Sequence, residues 1–355
     1  MRRPAPLPDS LRAGPFTLHQ AHAAGVHRDR LHRSYIVRLA RGLYVWRGTS
    51  RPSASTTVSP AGSASRPRVR PHPTIGHDDP YEWSTPLTVA QHDRLVRLIP
   101  HRHTTALSHQ TAARARGLWL PARLDHHDAV HVSRPRDRGQ LTADGVVSHR
   151  TLLPREEVEQ VLINGQPWWT TTLPRLWVDL AAQLTDRELV VLGDHLVRCA
   201  ELDGGVDAAT SRRGELIQVA ASCRTGRRHR RRLIAAAATV RVGAHSPRET
   251  LLRLALVEAG LPEPELQIEM HDPSFSPTHP ASADLGYRSA RLALHYDSKH
   301  HGRPRQIDRD VQRNAAFERR GYRNLTVSTS DGRDGYRRVI DEVRRHLTAH
   351  SAGNV

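Results

Sequence analysis

The stretch LALHYDSKHHGR, residues 292–303, is an apolar run that ends in a cluster of His, Asp and Lys. Its first residues alternate as a β-strand does, so that Leu292, Leu294 and Tyr296 lie on one face. His295 and Asp297 then project together from the opposite face. Imidazole and carboxylate groups bind metal ions, so this strand end is either a metal site or a basic loop exposed to water.

The segments around this stretch predict the order helix, strand, strand, strand, helix, strand, helix. Ser246 is an N-cap for the first helix, Glu249 stands three residues later as in a capping box, and Gly260 ends that helix. The elements are carried by residues 246–260, 266–270, 283–287, 291–296, 307–321, 324–329 and 336–347. The two strands before the cluster form a hairpin, which brings Asp284 towards His295 and Asp297.

An acid on one strand and polar groups two residues apart on the next resemble the PD-(D/E)xK nuclease signature. Over residues 246–347 the chain resembles the very-short-patch-repair-endonuclease-like domain of many actinobacterial proteins. The resemblance implies a restriction-endonuclease-like α/β domain and a metal-dependent DNA endonuclease. The implied catalytic residues are Glu249, Asp284, His295, Asp297, His301 and Arg313, of which Asp284, Asp297 and His295 hold the metal, His301 acts as general acid or base, and Arg313 contacts a phosphate.

His295 is a departure, because the relatives carry Glu at this position of the strand. Magnesium prefers oxygen ligands, so an imidazole shifts the preference towards manganese, zinc or iron. The implied cofactor is therefore Mg²⁺ or Mn²⁺ if the site is active, and none otherwise. Structural roles stay open for each acid: Glu249 in the capping box, Asp284 at a strand end, and Asp297 in a surface ion pair with Lys299.

The first fifty residues predict a helix, a turn, a basic helix and a hairpin, the pattern of a winged helix-turn-helix. The pattern lies in FTLHQAHAAGVHRDRLHRSYIVRLARGLYVWRG, residues 16–48. This segment resembles the N-terminal domain of AbiEi-type antitoxins from type IV toxin–antitoxin systems, which implies DNA contacts and a cognate toxin as a partner. The implied DNA-binding residues are Arg28, Arg30, Arg33, Arg38 and Arg41. The alternative is a solvated basic helix in an interaction domain.

Charge also favours DNA as a partner. Lys and Arg number 53 against 36 Asp and Glu, which gives a formal net charge of +17. Neutralising a phosphate backbone releases counterions, so such a surplus favours nucleic acid. The alternative is a compositional bias of the genome. Two cysteines exclude a disulfide framework, and the longest apolar run, residues 233–240, is too short to span a bilayer, so we expect a cytoplasmic protein without membrane contact.

The fold class expected for the whole chain is a multidomain α+β and α/β protein. We predict a winged helix-turn-helix at 1–48, a Ser/Pro/Arg-rich linker at 49–85, a mixed α/β antitoxin-like region at 86–222, a basic hinge at 223–245 and the nuclease-like domain at 246–349. The histidines of 101–103 and 126–131 are interpreted as surface groups, and Arg175 with Asp179 as a structural salt bridge. Two functions remain: a metal-dependent endonuclease, or a non-catalytic AbiEi-type repressor with a degenerate nuclease domain.

Overall fold

The computed structural model describes part of the chain in twelve pieces. These are residues 8, 16–17, 21, 24–26, 36–40, 43–46, 87–99, 103–124, 129–163, 166–222, 229–297 and 304–353. The chain divides into two compact units, residues 1–172 and 173–355, and each is described by itself. The division falls within the range 86–222 that the sequence assigns to the middle region.

The N-terminal strands form a small antiparallel sheet in the order β1-β3-β2. Its strands are β1 (Phe16–Thr17), β2 (Ile36–Ala40) and β3 (Leu43–Trp46). The β2–β3 hairpin is the one that the sequence predicts, and Arg38 pairs with Tyr44 in its backbone register. Arg28, Arg30, Arg33 and Arg41 lie outside the described residues. So do nearly all of the two predicted helices and the whole predicted linker, residues 49–85.

A five-stranded mixed sheet organises the rest of the first unit. Its strands are β4 (Ala106–Leu107), β5 (Val130–Pro135), β6 (Val146–Thr151), β7 (Val158–Ile163) and β8 (Gln166–Thr171), in the order β6-β5-β4-β8-β7. The β5–β6 and β4–β8 pairs are parallel, and the other neighbours are antiparallel.

Two helices accompany this sheet, α1 (Val89–Leu98) and α2 (His109–Ala115). Thr88 caps α1 in a capping box with Gln91. The sequence predicts one helix over residues 105–118, and that prediction is wrong in its first turn. Ala106 and Leu107 instead pair with β5 and are fully buried, and α2 begins only after them.

Four helices open the second unit: α3 (Leu173–Leu180), α4 (Asp186–Ser222), α5 (Arg230–Thr239) and α6 (Pro247–Glu258). The sequence predicts Leu176, Leu180 and Leu184 as the buried stripe of this segment, and all three are buried. The predicted pair of Arg175 and Asp179 is confirmed, with 2.7 Å between Nε and Oδ1. Helix α4 is interrupted by non-helical backbone at residues 204–205, and α5 lies within the range predicted as a hinge.

A four-stranded mixed sheet follows in the second unit. Its elements are β9 (Glu265–Met270), β10 (Ala281–Tyr287), β11 (Leu292–Asp297), α7 (Pro304–Arg319), β12 (Arg323–Ser328), α8 (Thr329–Arg333) and α9 (Arg337–Gly353). The order is β12-β11-β10-β9, antiparallel from β9 to β11, and β12 is parallel to β11 because α7 provides the crossover. The element order predicted for residues 246–347 is confirmed except for α8, a short helix between β12 and α9 that the sequence does not predict.

Small residues allow this sheet to pack closely against α7. Ala283, Ala293 and Ile268 of the sheet are fully buried with Ala316 and Phe317 of the helix. Gly286 sits where a Cβ atom would lie 2.3 Å from the carbonyl oxygen of Leu292, so a side chain would push β10 away from β11. Among the residues that the structure describes, no helix is both long and apolar enough to cross a membrane.

Candidate functional site

Glu249 lies in the first turn of α6, and its carboxylate is buried. Ser246 Oγ accepts a hydrogen bond from the backbone N–H of Glu249 at 3.2 Å, which is the predicted cap. The other half of the predicted capping box differs, because Glu249 Oε2 accepts from the N–H of His245 at 2.9 Å. The same oxygen accepts from Gln267 Nε2 at 3.2 Å. The carboxylate therefore faces β9 as well as the start of its own helix.

Asp284 lies at the point where β10 and β11 part. The pairing of the two strands runs from Tyr287 with Leu292 to Leu285 with Leu294 and stops there. At the next position Asp284 Oδ2 accepts a hydrogen bond from the backbone N–H of Tyr296 at 2.7 Å. The side chain thus takes the place of a strand–strand hydrogen bond, and the sheet opens beside it.

The two carboxylates interact unfavourably with each other. Burial, and then the charge of Asp284, raise the pKa of Glu249 to about 8. Burial also raises the pKa of Asp284, against the N–H of Tyr296 and the charge of Arg313, which favour ionisation. Among the described residues neither carboxylate forms an ion pair. Burial and the neighbouring carboxylate therefore favour a proton on Glu249 at neutral pH, or a cation in its place.

Arg313 of α7 stands near this pair. Its Nη1 lies 3.1 Å from Asp310 Oδ1, one turn earlier in the helix. Its positive charge lowers the pKa of Asp284 and that of His295, so it acts on both strands. Side-chain exposure of 26% leaves part of Arg313 accessible to an anion from solution. The structure therefore gathers four of the predicted site residues, Glu249, Asp284, His295 and Arg313, around the opening of the sheet.

His295 is buried on the face of β11 that packs against α7. Its Nε2 lies 3.0 Å from Asn324 Oδ1, and its ring contacts Phe317 edge to face. Burial, followed by the charge of Arg313, lowers the pKa of His295 to about 4, so the ring is neutral near pH 7. Asn324 donates its Nδ2 to Asn314 and Glu318, so its oxygen is the acceptor. His295 therefore carries its proton on Nε2.

The other ring nitrogen of His295 is left as an acceptor. Nδ1 is buried and has no hydrogen-bond partner in the part of the chain that the structure describes. A neutral histidine held through one nitrogen, with a lone pair on the other, has the arrangement of a metal ligand. Two carboxylates and one imidazole fit Mn²⁺ better than Mg²⁺. In the described residues the ligand atoms of these three side chains do not all lie within 4.8 Å of one another.

The remaining predicted site residues lie apart from the buried pair or outside the description. Asp297 ends β11, where it is exposed and pairs in register with Ser328 of β12. His301 falls outside the described residues, as do the residues from 298 to 303 that follow the strand. Asp297 is exposed at the strand end whereas Asp284 is half-buried, and the role of Asp297 as a metal ligand stays a prediction.

A second group of titratable side chains lies in the first unit. His109, His131 and His149 offer ligand nitrogens that all lie within 4.8 Å of one another. His131 Nδ1 is 3.0 Å from His149 Nε2, and the rings of His109 and His149 stack with 3.7 Å between centroids. Burial lowers the pKa of His149. We will call these three residues the histidine cluster.

Sequence reasoning missed the histidine cluster. His131 belongs to the run at 126–131 that is interpreted as surface histidine, and the other two stand alone in the sequence. They meet because β5 and β6 are parallel neighbours and α2 starts beside them. Ser133 pairs with His149, so His149 lies on the same face as His131, two residues along. The pairing of β5 with β6 brings these histidines together, and a single sequence does not show which strands pair.

Comparison of the chain with known protein families, with curated proteins and with solved structures gives no match.

Proposed function

We propose that this chain is a DNA-binding protein whose second unit has a restriction-endonuclease-like fold and a metal-dependent site for cleaving DNA. The order α6, β9, β10, β11, α7, β12, with a parallel last strand pair, supports the fold assignment. The resemblance over residues 246–347 supports it independently. The winged helix proposed for residues 1–48 would supply DNA contacts through Arg28, Arg30, Arg33, Arg38 and Arg41, and a net charge of +17 favours the same partner.

The observation that carries this proposal is the pair of Glu249, which is buried, and Asp284, which is half-buried. Like charges in a buried site are destabilising unless a proton or a cation neutralises them. Within the described parts of the chain, the hydrogen bonds that these two carboxylates accept come from uncharged donors, the backbone N–H of His245 and of Tyr296 and the side-chain amide of Gln267. The side-chain oxygens of Asn and Gln could accept the same hydrogen bonds, so a purely structural role would not require two carboxylates. The pair instead has the composition of a divalent cation site that lies where two strands separate.

Each residue of the site has a proposed role. Glu249, Asp284 and His295 Nδ1 would hold the ion, and the exposed Asp297 would add a carboxylate from the strand end. A bound divalent ion supplies Lewis-acid activation of water and neutralises charge on the scissile phosphate. Asn324 orients His295 by accepting from Nε2. Arg313, accessible beside the pair, would hold the phosphate, and His301 would act as general acid or base.

Cleavage of supercoiled plasmid tests this function. Wild type with Mn²⁺ is expected to nick the plasmid, and Asp284→Asn is expected to lower the rate at least about 100-fold. The reason is that metal activation contributes several kcal/mol to the transition state, and each tenfold in rate corresponds to about 1.4 kcal/mol. Glu269→Gln, which changes an exposed acid of the adjacent strand β9, is the control and is expected to keep the wild-type rate. Equal nicking by wild type and Asp284→Asn would contradict the assignment.

The second candidate is a non-catalytic AbiEi-type antitoxin, a repressor of a type IV toxin–antitoxin system. Two observations favour it: His295 stands where the strand acid is expected, and its ligand atom is not gathered with those of both buried acids. This reading predicts DNA retardation in gel shifts by wild type, unchanged by Mn²⁺ and by Asp284→Asn, with no nicking. It also predicts that a cognate toxin forms a complex with the chain.

A further inference from the structure

The histidine cluster of the first unit is fixed by backbone contacts and not only by its side chains. The N–H of Ser108, the residue before His109, donates to the carbonyl oxygen of His131 at 3.1 Å. The N–H of His131 donates in turn to Thr111 Oγ1 of α2 at 2.8 Å. These two bonds hold the start of α2 against β5. His109 and His131 are thus positioned by the same hydrogen bonds that connect the helix to the sheet.

The third histidine is positioned by the sheet register. Strand β6 runs parallel to β5 with six paired positions, from Val130 with Val146 to Pro135 with Thr151. A side chain on β6 cannot slip along β5 without breaking this ladder. His149 therefore presents its ring to His131 in a fixed geometry, with 5.3 Å between their centroids and 19° between the ring planes.

Two of the nitrogens lie about as far apart as ligands on one ion, and in this structure they form a hydrogen bond with each other. The distance of 3.0 Å between His131 Nδ1 and His149 Nε2 is close to the separation of about 3.3 Å that two nitrogens have on a tetrahedral ion with bonds of about 2.0 Å. His109 Nδ1 lies 3.0 Å from Ser108 Oγ. When Nδ1 donates to that hydroxyl, Nε2 of His109 carries the lone pair, as in histidines that bind metal.

We propose that His109, His131 and His149 form a three-imidazole site for a transition-metal ion of the Zn²⁺ class. Three neutral imidazoles suit zinc, copper, iron or nickel, whereas magnesium and calcium prefer oxygen ligands. A tetrahedral ion on three protein ligands keeps a fourth position for water or an anion. The site differs in ligand chemistry from the carboxylate pair of the second unit and does not depend on the function proposed there.

All three side chains of the cluster are partly buried. The rings of His109 and His149 are stacked with 3.7 Å between centroids, so one ring has to turn before nitrogens of both point at the same ion. Neutral imidazole is the form that binds a metal ion. A bound ion would also link α2, β5 and β6, which the unfolded chain cannot do.

Zinc binding by the full chain tests the site. The chain is prepared without a polyhistidine tag, stripped with chelator and dialysed against Zn²⁺, and bound zinc is counted by mass spectrometry while affinity is measured by titration calorimetry. Wild type is expected to retain one tightly bound zinc ion. His149→Gln and His109→Gln are each expected to weaken that binding at least about 100-fold, because each removes one of three ligands.

Two controls separate this site from other histidines and acids. His103→Gln removes an exposed histidine of the same unit outside the cluster and is expected to bind zinc as wild type does. Asp284→Asn is also expected to retain the zinc, so loss of the proposed nuclease site leaves this result unchanged. Circular dichroism identifies a variant that fails to fold. The test then rests on the zinc affinity of the other cluster variant. Absence of a tight ion in wild type, or wild-type affinity in a folded cluster variant, would overturn the proposal.

Discussion

Replacing Asp194 with alanine is expected to lower the free energy of unfolding of the second unit by about 3–5 kcal/mol. Asp194 and Arg253 are both 1% exposed and pair at 2.9 Å. Asp194 also accepts from the N–H of Arg241 and from Thr250 Oγ1, each at 2.8 Å. With alanine at position 194, the buried guanidinium of Arg253 would lose its carboxylate partner. It would keep only its hydrogen bonds to Glu263 and to the carbonyl oxygen of Thr239. A buried charge that loses its partner is strongly destabilising.

Urea unfolding followed by circular dichroism measures this loss. Asp341→Ala is the matched control, because Asp341 forms an exposed pair with Arg344 on α9 at 3.3 Å. Exposed pairs contribute about 0–1 kcal/mol, so the control is expected to change stability by less than that. The account of the buried network is wrong if Asp194→Ala and Asp341→Ala have the same midpoint.

Stability of wild type is expected to fall between pH 4.5 and about pH 8 relative to Glu249→Gln. The pKa of Glu249 rises from 4.5 to about 8 on folding. The folded state therefore holds a proton that the unfolded state releases, and stability from this group is complete below pH 4.5 and decreases as pH rises towards 8. One pKa unit corresponds to about 1.4 kcal/mol, so the whole decrease is on the order of 3–5 kcal/mol. Glutamine mimics the protonated acid and removes the dependence.

Urea midpoints of both proteins at several pH values from 4.5 to 8.5 measure this effect. Titrating groups that do not interact with Glu249 contribute equally to both proteins and cancel in the difference, which therefore reports on Glu249 together with Asp284, its electrostatic neighbour. The expected difference grows with pH in favour of Glu249→Gln in the absence of divalent ions. If the difference between the two midpoints stays constant with pH, Glu249 is ionised in the folded protein as it is in the unfolded chain. The pair of Glu249 and Asp284 would then no longer support a cation site.

The sequence predicts most elements of the second unit because their signals are local. Ser246 and Gly260 delimit α6, and alternation identifies β9 to β11. Weak local signals explain the differences: β4 has two residues, too few for a period, and it exists because it pairs with β5 and β8. The sequence predicts a helix over residues 186–202, whereas α4 continues to Ser222 across non-helical backbone at residues 204–205.

The candidate site is predicted in part for similar reasons. Strand periodicity identifies His295, and the hairpin brings Asp284 beside it. The orientation of His295 towards Asn324 and the burial of Glu249 against Gln267 depend on β12 and β9, whose register the sequence does not contain. The exposure of Asp297 depends on where β11 ends. Pairing between strands, which single sequences leave unspecified, accounts for each of these differences.

Proton release on Mn²⁺ binding tests the central claim, that Glu249 and Asp284 together hold a divalent ion. Titration calorimetry at pH 7 in two buffers of different ionisation enthalpy gives the number of protons released. Wild type is expected to release about one proton, because the pKa of Glu249 is about 8 and a bound ion requires the carboxylate. The titration is repeated with His149→Gln, which removes metal binding at the histidine cluster. Adding Asp284→Asn to that variant is expected to abolish both the Mn²⁺ binding and the proton release. Mn²⁺ binding of equal affinity with and without Asp284→Asn would contradict the account.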